Sequence, residues 1–421
     1  MRGAVRGCGF AVVAVVVLLL AGVAAPARAD QARSLEYWLS DYGVSAAWET
    51  TRGAGVTVAV IDTGVDGRTA ELAGSVTGGT DVSGIGAPDG QQPIGPESAH
   101  GTWVASLLAG RGTGDGEGVI GVAPGASILS ISTAFGSTAS TVSADDQIAD
   151  AVRWAVDHGA TVINMSLTRN TLAWPQSWDA VFQYAFEHDV VIVAAAGNRG
   201  SGTAEVGAPA TIPGVLTVAG VDRSGVASFD ASSQGITIGV SAPSEELVGA
   251  NPGGGYVTWR GTSGATPLVA GVVALVRAAY PGLDAANVIN RVIATARPVP
   301  GAGAGAGPSP VYGYGLVDAA AAVNATVAPV TTNPMGDLGA WIRLHRRAAA
   351  TPEPSSAPKA SVPKPSTVPP EAVDVLGMLT AYDRRFAMAA GIPVILLAGC
   401  VAVVALGAAG ARGHFRRAHR R

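Results

Sequence analysis

Short apolar runs alternate with amphipathic stretches through the middle of the chain. Each run is bounded by polar or glycine-rich residues, which is typical of a strand buried on both faces of a sheet. The predicted strands cover residues 56–61, 128–131, 162–165, 190–195 and 215–218. The predicted helices cover residues 102–109, 145–157, 177–187 and 266–279. Strands that alternate with helices predict an α/β fold, with a mostly parallel sheet flanked by helices.

An apolar stretch near the N-terminus lies outside this pattern. Residues 10–25 follow two arginines and lead into Ala27-Arg28-Ala29, a small-residue motif typical of signal-peptide cleavage sites. We therefore expect a signal peptide over residues 1–29 and a mature chain that begins at Asp30. An uncleaved N-terminal membrane helix is the alternative interpretation of the same stretch.

A second apolar stretch lies near the C-terminus. Residues 386–411 contain no charge, and as a helix they would extend about 39 Å, enough to cross a hydrocarbon core of about 30 Å. They predict a transmembrane helix, with a buried core helix as the alternative. The arginine-rich residues 412–421 predict a basic cytoplasmic tail, so the rest of the chain is expected outside the cytoplasm.

The remaining residues divide into three predicted parts. Residues 30–55 form a short N-terminal extension, and residues 56–325 form the main domain. Residues 326–385 form a Pro-rich spacer, because so many prolines favour an extended, semi-rigid chain without a core. Within this spacer, residues 335–348 predict a short helix that lies either on the domain or at the membrane surface.

The composition narrows the chemistry of the main domain. Hydrophobic residues make up 48% of the chain, and the formal net charge of −4 offers no basic surface for nucleic acid. The only cysteines, Cys8 and Cys400, lie outside the domain, which excludes a thiol nucleophile, a thiolate zinc site and an internal disulfide there. The only lysines, Lys359 and Lys364, lie in the spacer, so a Ser–Lys dyad is also excluded.

Four short motifs supply the groups that acyl transfer needs. Asp62 ends the run VAVIDTG, His100 opens HGT, Asn198 ends AGN, and Ser263 lies within GTSGATP. A serine hydroxyl is a nucleophile once a base such as histidine removes its proton, and an aspartate orients that histidine. An asparagine amide can donate a hydrogen bond to the oxyanion of the tetrahedral intermediate. The chain order Asp, His, Ser is that of subtilisin.

Other titratable residues of the domain have competing interpretations. Asp66 is the rival carboxylate, but it lies beyond the turn that follows Asp62. His158 and His188 each follow a predicted helix, where an imidazolium would stabilise the helix dipole. We therefore expect the catalytic base to be His100.

The glycine-rich loop over residues 111–118 contains two carboxylates, Asp115 and Glu117, that could bind calcium through oxygen. A solvated loop is the favoured interpretation, because no regular ligand pattern is present. The sequence therefore predicts no metal and no cofactor.

From about residue 45 to residue 323 the chain resembles the subtilisin-like serine peptidases. The resemblance implies their fold, endopeptidase activity on protein or peptide substrates, and the catalytic roles given above for the four motif residues. The substrate-binding residues that it implies are Ser166, Leu167, Thr168, Ala195 and Gly197. Relatives commonly have glycine where Thr168 stands, which implies a narrower rim to the first specificity pocket. The small residues 194–197 would suit an apolar or medium-sized substrate side chain.

The whole arrangement resembles the mycosins, which are membrane-anchored subtilisin-like proteases of type VII secretion systems. The short extension, the protease domain, the Pro-rich spacer and the C-terminal membrane helix all occur in that order. The resemblance implies a membrane location and a type VII secretion complex as partner. One departure is that mycosins carry disulfides in the protease domain, and none can form here. The alternative function is a structural component that stabilises a secretion complex, with dispensable proteolysis.

Overall fold

The computed structural model describes residues 27–135, 139–300 and 308–346. These residues form a seven-stranded sheet with the strand order β2-β3-β1-β4-β5-β6-β7. Every pair of neighbouring strands in it is parallel. Its strands are β1 Thr57–Asp62, β2 Val76–Asp81, β3 Ser127–Ser132, β4 Val162–Met165, β5 Val191–Ala195, β6 Leu216–Val221 and β7 Ile238–Pro243. An antiparallel hairpin follows, formed by β8 Leu247–Ala250 and β9 Tyr256–Trp259.

Helices cover both faces of the sheet. In the described part of the chain they are α1 Ala27–Leu35, α2 Trp38–Asp41, α3 Val44–Ala47, α4 His100–Ala109, α5 Ala144–Asp157, α6 Ser177–Glu187, α7 Thr262–Ala279, α8 Ala285–Ala294, α9 Ala319–Asn324 and α10 Leu338–His345. α4, α7 and α8 pack on one face, and α5 and α6 pack on the other. This arrangement confirms the predicted α/β fold with a parallel sheet flanked by helices.

α7 is the central helix of the domain. It is long and apolar enough to cross a membrane by composition, but most of its residues are buried inside the domain. Val269, Val273 and Val276 are among its fully buried side chains, and they belong to the core on that face of the sheet. Its apolar character is therefore explained by the core, and the predicted transmembrane helix over residues 386–411 lies outside the described residues.

The segment predicted as an N-terminal extension packs into the core of the domain. Trp38 is 1% exposed, and Ala47 is completely buried. Glu36 accepts a hydrogen bond from the main chain of Ile120 at 3.0 Å. The Ala319 N–H, at the start of α9, donates to the carbonyl of Tyr42 at 2.9 Å, so the two ends of the domain close on each other.

α10 settles where the short helix predicted over residues 335–348 lies. Trp341 packs on Trp174 with their ring centroids 4.4 Å apart, and Leu338 is buried. Arg346, just after the helix, forms an ion pair with Asp179 at 2.9 Å. The helix therefore lies on the domain, against α6. The predicted signal peptide is outside the described residues except for 27–29, which belong to α1.

Candidate active site

The side chains predicted to be catalytic meet at the carboxyl edge of the parallel sheet. Asp62 is the last residue of β1, Ser166 follows β4, and Asn198 lies just beyond β5. The chain passes from β3 on one side of β1 to β4 on the other, which opens a crevice at the ends of these strands. His100 begins α4, and Ser263 is the second residue of α7. All five residues line the two adjoining cavities at this edge.

Asp62 and His100 form a close pair. The two residues approach to 2.8 Å between His100 Nδ1 and Asp62 Oδ1, and the Thr63 N–H donates to the same oxygen at 2.7 Å. Because a carboxylate only accepts, Nδ1 carries the proton and Nε2 is left as an acceptor. Asp62 Oδ2 is buried and accepts no hydrogen bond from the described residues, so Oδ1 accepts both of the hydrogen bonds that this carboxylate receives from them.

The pKa of His100 lies above its ordinary value of 6.5. Burial of the ring disfavours the imidazolium and lowers the pKa, but the charge of Asp62 and its hydrogen bond to the ring outweigh burial. The charge of Glu97 raises the pKa further. Glu97 lines both cavities beside His100, and no motif singled it out.

The structure corrects the predicted start of α7. The helix begins at Thr262 instead of residue 266, so Ser263 lies in its first turn and Pro267 lies inside the helix. Gly261 precedes the helix at φ 141°, in a region that only glycine adopts readily. Pro267 has no N–H to donate to the carbonyl of Ser263, four residues earlier. The Ser166 hydroxyl donates to that carbonyl instead, at 2.8 Å.

The Ser263 hydroxyl also bonds to Ser166. It donates to the carbonyl of Ser166 at 3.1 Å, so the two serines bond to each other in both directions. Asn164, buried in β4, donates from Nδ2 to the Ser166 hydroxyl at 3.0 Å. The candidate nucleophile is thus anchored to β4 through a buried chain of hydrogen bonds.

Asn198 is oriented by the residue before Ser263. Its Oδ1 accepts from the Thr262 N–H at 2.8 Å and from the Thr262 hydroxyl at 2.9 Å. The Thr262 hydroxyl also accepts from the N–H of Gly197 at 3.1 Å. With Oδ1 occupied, Nδ2 donates to no atom of the described residues, and the side chain lines the cavity next to Ser263. The amide is therefore free to donate into the cleft.

Two cavities flank the site, with volumes of about 360 and 490 Å³. Ile94, Phe135 and Leu167 give the first an apolar wall. Trp103 and Trp259 line the second, and their ring centroids lie 6.4 and 5.6 Å from that of His100. His100 and Ser263 therefore lie where the two cavities of the cleft meet, with apolar side chains lining one cavity and tryptophans lining the other.

Two of the five predicted substrate-binding residues line this cleft, and Thr168, Ala195 and Gly197 line neither of its cavities. Ser166 and Leu167 line the first cavity. Ala195 is buried at the end of β5, and Gly197 has φ 102°, a conformation that favours glycine. A Cβ atom at Gly197 would lie 3.2 Å from Cγ2 of Thr168, which brings these two segments side by side.

The rival titratable residues have other partners. Asp66 accepts from the Arg68 guanidinium at 2.8 Å. His158 and His188 approach the carbonyls of Trp154 and Tyr184 through Nδ1, each at 2.8 Å, at the ends of α5 and α6. The two histidines thus lie at helix C-termini, as expected.

The loop over residues 111–118 is held by the N-terminal segment. Arg33 donates to the carbonyl of Glu117 at 2.9 Å and to that of Gly118 at 3.1 Å. Across the described ranges, no three His, Cys, Asp or Glu side chains come together as metal ligands would.

Some positioning residues were missed by sequence reasoning. Thr262 and Asn164 act through hydrogen bonds that depend on which way neighbouring segments face, and Pro267 acts by leaving the Ser263 carbonyl free to accept one. The available signal was their place beside the predicted residues, since Thr262 and Pro267 belong to the same GTSGATP motif as Ser263.

Residues 53–315 match the Peptidase S8, or subtilase, family. The chain belongs to this family of serine endopeptidases. Subtilisin E of Bacillus subtilis (strain 168) is 35% identical over 297 residues, which cover 70% of this chain and 72% of the relative. Fervidolysin of Fervidobacterium pennivorans is 38% identical over 280 residues, which cover 59% of this chain and 38% of the relative.

Solved structures extend the likeness to type VII secretion proteases. The MycP3 protease from the type VII (ESX-3) secretion system is 34% identical, with a TM-score of 0.58. The match covers 69% of this chain and 88% of MycP3. The subtilase match and this likeness confirm the predicted resemblance to subtilisin-like peptidases and to mycosins.

Proposed function

We propose that the chain is a membrane-anchored, extracytoplasmic serine endopeptidase in which Asp62, His100 and Ser263 form a catalytic triad. The observation that carries the proposal is the 2.8 Å contact between His100 and Asp62 in a cleft that Ser263 also lines. Asp62 keeps the proton on Nδ1, so Nε2 of His100 faces the reaction as a neutral base. The raised pKa of His100 favours the imidazolium that forms during the reaction.

Catalysis begins when Ser263 turns from the Ser166 carbonyl toward His100. A substrate strand that pairs along residues 166–168 competes for this carbonyl and releases the hydroxyl. The proton passes to Nε2 as Oγ bonds to the substrate carbonyl carbon, and the imidazolium then protonates the leaving amine. Water repeats these steps on the acyl-enzyme, which frees the acid and restores Ser263.

Asn198 and the Ser263 N–H stabilise the oxyanion in this proposal. Thr262 holds Asn198 Oδ1, which leaves Nδ2 as the donor, and an N–H in the first turn of a helix has no partner within the helix. Removing such a donor from a subtilisin lowers kcat by about 10²–10³. We expect Asn198→Ala to cause a loss of this order with little change in KM.

The triad is tested by removing the nucleophile. Ser263→Ala is expected to abolish both peptide-ester hydrolysis and labelling by a fluorophosphonate, with an unchanged circular dichroism spectrum. Labelling that persists in this variant would place the nucleophile elsewhere. His100→Ala is expected to lose nearly as much rate, because the triad acts as a unit.

The membrane anchor and the secretion system belong to the same proposal. Residues 386–411 support the anchor by composition, and the likeness to MycP3 supports a place beside a type VII secretion complex. Protease added to intact spheroplasts is expected to digest the catalytic domain and spare the C-terminal arginines. The reverse pattern would show an inverted topology, and N-terminal sequencing checks for cleavage before Asp30.

A further inference from the structure

Thr168 fills the gap between two segments that leave neighbouring strands. The segment with Thr168 follows β4, and the segment with Gly197 follows β5, its parallel neighbour. A Cβ atom at Gly197 would lie 3.2 Å from Thr168 Cγ2, and a Cβ atom at Gly207 would lie 2.6 Å from Thr168 Oγ1. The two branches of the threonine therefore each face a glycine.

The Thr168 side chain is held in this position. Its hydroxyl donates to the carbonyl of Arg169 at 3.1 Å. A β-branched side chain also has few χ1 conformations available. Turning Thr168 out of the gap would break the hydrogen bond and force a less favourable rotamer.

Two further groups border the gap. Thr203 is 4% exposed, and its Cγ2 would lie 2.8 Å from a Cβ atom at Gly197. At the far end the carbonyl of Arg169 contacts Gly207, and the Arg169 N–H donates to the carbonyl of Ala208 at 2.7 Å. A methyl group and main-chain atoms thus border Thr168, and Thr168 separates the catalytic cleft from a cavity of about 320 Å³ that residues 170–172 and 202–206 line.

We propose that Thr168 limits the pocket for the substrate residue on the acyl side of the scissile bond to very small side chains. The peptidase then cleaves after alanine, serine or glycine. This inference rests on the proposed function, which places the substrate strand along residues 166–168. A benzyl or isobutyl group would need the volume that Thr168 occupies, and overpacking a rigid site is unfavourable. The sequence-based expectation of an apolar or medium-sized side chain is accordingly narrowed.

The experiment compares how fast two probes modify the purified full chain. The probes are peptidyl diphenyl phosphonates that differ only in a methyl or a benzyl group at the first position, and they react once with the serine nucleophile. We expect the wild type to react about 100-fold faster with the methyl probe, in the range that pocket size alone provides. Thr168→Gly is expected to reduce this ratio below about 10 by accelerating the benzyl probe.

Thr168→Val is the matched control, because valine keeps the shape of threonine without its hydroxyl. It should keep the preference for the methyl probe if filled volume is the cause. Wild-type rates that are similar for both probes, or a Thr168→Gly variant with the wild-type ratio, would overturn the proposal. So would a wild type that reacts with a plain fluorophosphonate but not with the methyl probe. If Ser263 does not react even with the fluorophosphonate, the proposed function itself fails.

Discussion

Pro267 acts on the candidate nucleophile from the next turn of its helix. Because proline cannot donate to the Ser263 carbonyl, the Ser166 hydroxyl takes that acceptor and joins the start of α7 to β4. Asp62, His100, Asn198 and Ser263 could be proposed from the sequence, since each lies in a recognisable motif. Their supporting bonds could not be, because they depend on side-chain directions that only the folded chain sets.

Thr262 provides a test at the scale of one hydroxyl. Thr262→Val keeps the volume but removes a donor to Asn198 and leaves the Gly197 N–H without its acceptor, which costs about 1–3 kcal/mol for a buried group. We expect kcat to fall about tenfold with KM nearly unchanged, because the amide that should meet the oxyanion is less well oriented. Thr262→Ser keeps the hydroxyl and should restore kcat. A rise in KM alone would contradict a role in orienting Asn198.

The raised pKa of His100 sets the acid limb of activity. His100 must be neutral to accept the Ser263 proton, so kcat/KM is expected to fall as the pH drops through a pKa above 6.5. Glu97→Gln removes a charge that raises this pKa, and the acid limb should move to lower pH. Glu49→Gln, at an exposed carboxylate just after α3 that does not contribute to the pKa shift of His100, is the control and should leave the limb in place. An unmoved limb in Glu97→Gln would exclude Glu97 as a cause.

At the scale of elements, the strands inside the sheet could be predicted from the sequence, and the strands at its two edges could not. β1, β3, β4, β5 and β6 lie within a few residues of their predicted bounds, because their continuous apolar runs are needed in the core. β2, with the sequence VTGGTD, was missed because an edge strand pairs on one side only and tolerates polar residues and glycine. The first turn of α7 was missed because its glycines and Pro267 disfavour a helix that tertiary contacts stabilise.

The N-terminal segment should behave as part of the domain. Trp38→Ala would leave a cavity in the core, and removal of a buried tryptophan costs about 3–5 kcal/mol. We expect the thermal unfolding midpoint of the purified chain to fall by on the order of 10 °C. Leu35→Ala, at a side chain that is 40% exposed, serves as the control and should change it little. A similar small change for Trp38→Ala would mean that the segment is dispensable for stability.

At the scale of the whole molecule, the predicted anchor and the site lie in separate parts of the chain. A protein limited to residues 30–350 keeps every residue of the candidate site, so it should hydrolyse a small peptide ester about as fast as the full chain. It should still fail to support secretion in the cell, because tethering at the membrane raises the effective concentration of substrate. An ester rate far below that of the full chain would contradict this separation.

The protein limited to residues 30–350 also helps to distinguish proteolysis from a structural role. If the chain mainly stabilises a secretion complex, the anchored Ser263→Ala variant should support secretion while the active truncated protein should not. If proteolysis is the main role, the anchored Ser263→Ala variant should fail. Secretion measured with the two variants side by side decides between these functions.

The hydrogen bond between Ala319 and Tyr42 also determines when folding can finish. Tyr42 belongs to the first part of the domain to be synthesised and Ala319 to the last, so the carbonyl of Tyr42 waits for α9. At about 5–20 residues per second, the intervening chain takes roughly 15–60 s to make. During this interval the carbonyl of Tyr42 is without its late partner. The N-terminal segment can therefore complete its hydrogen bonds only after the last helix of the domain has been made.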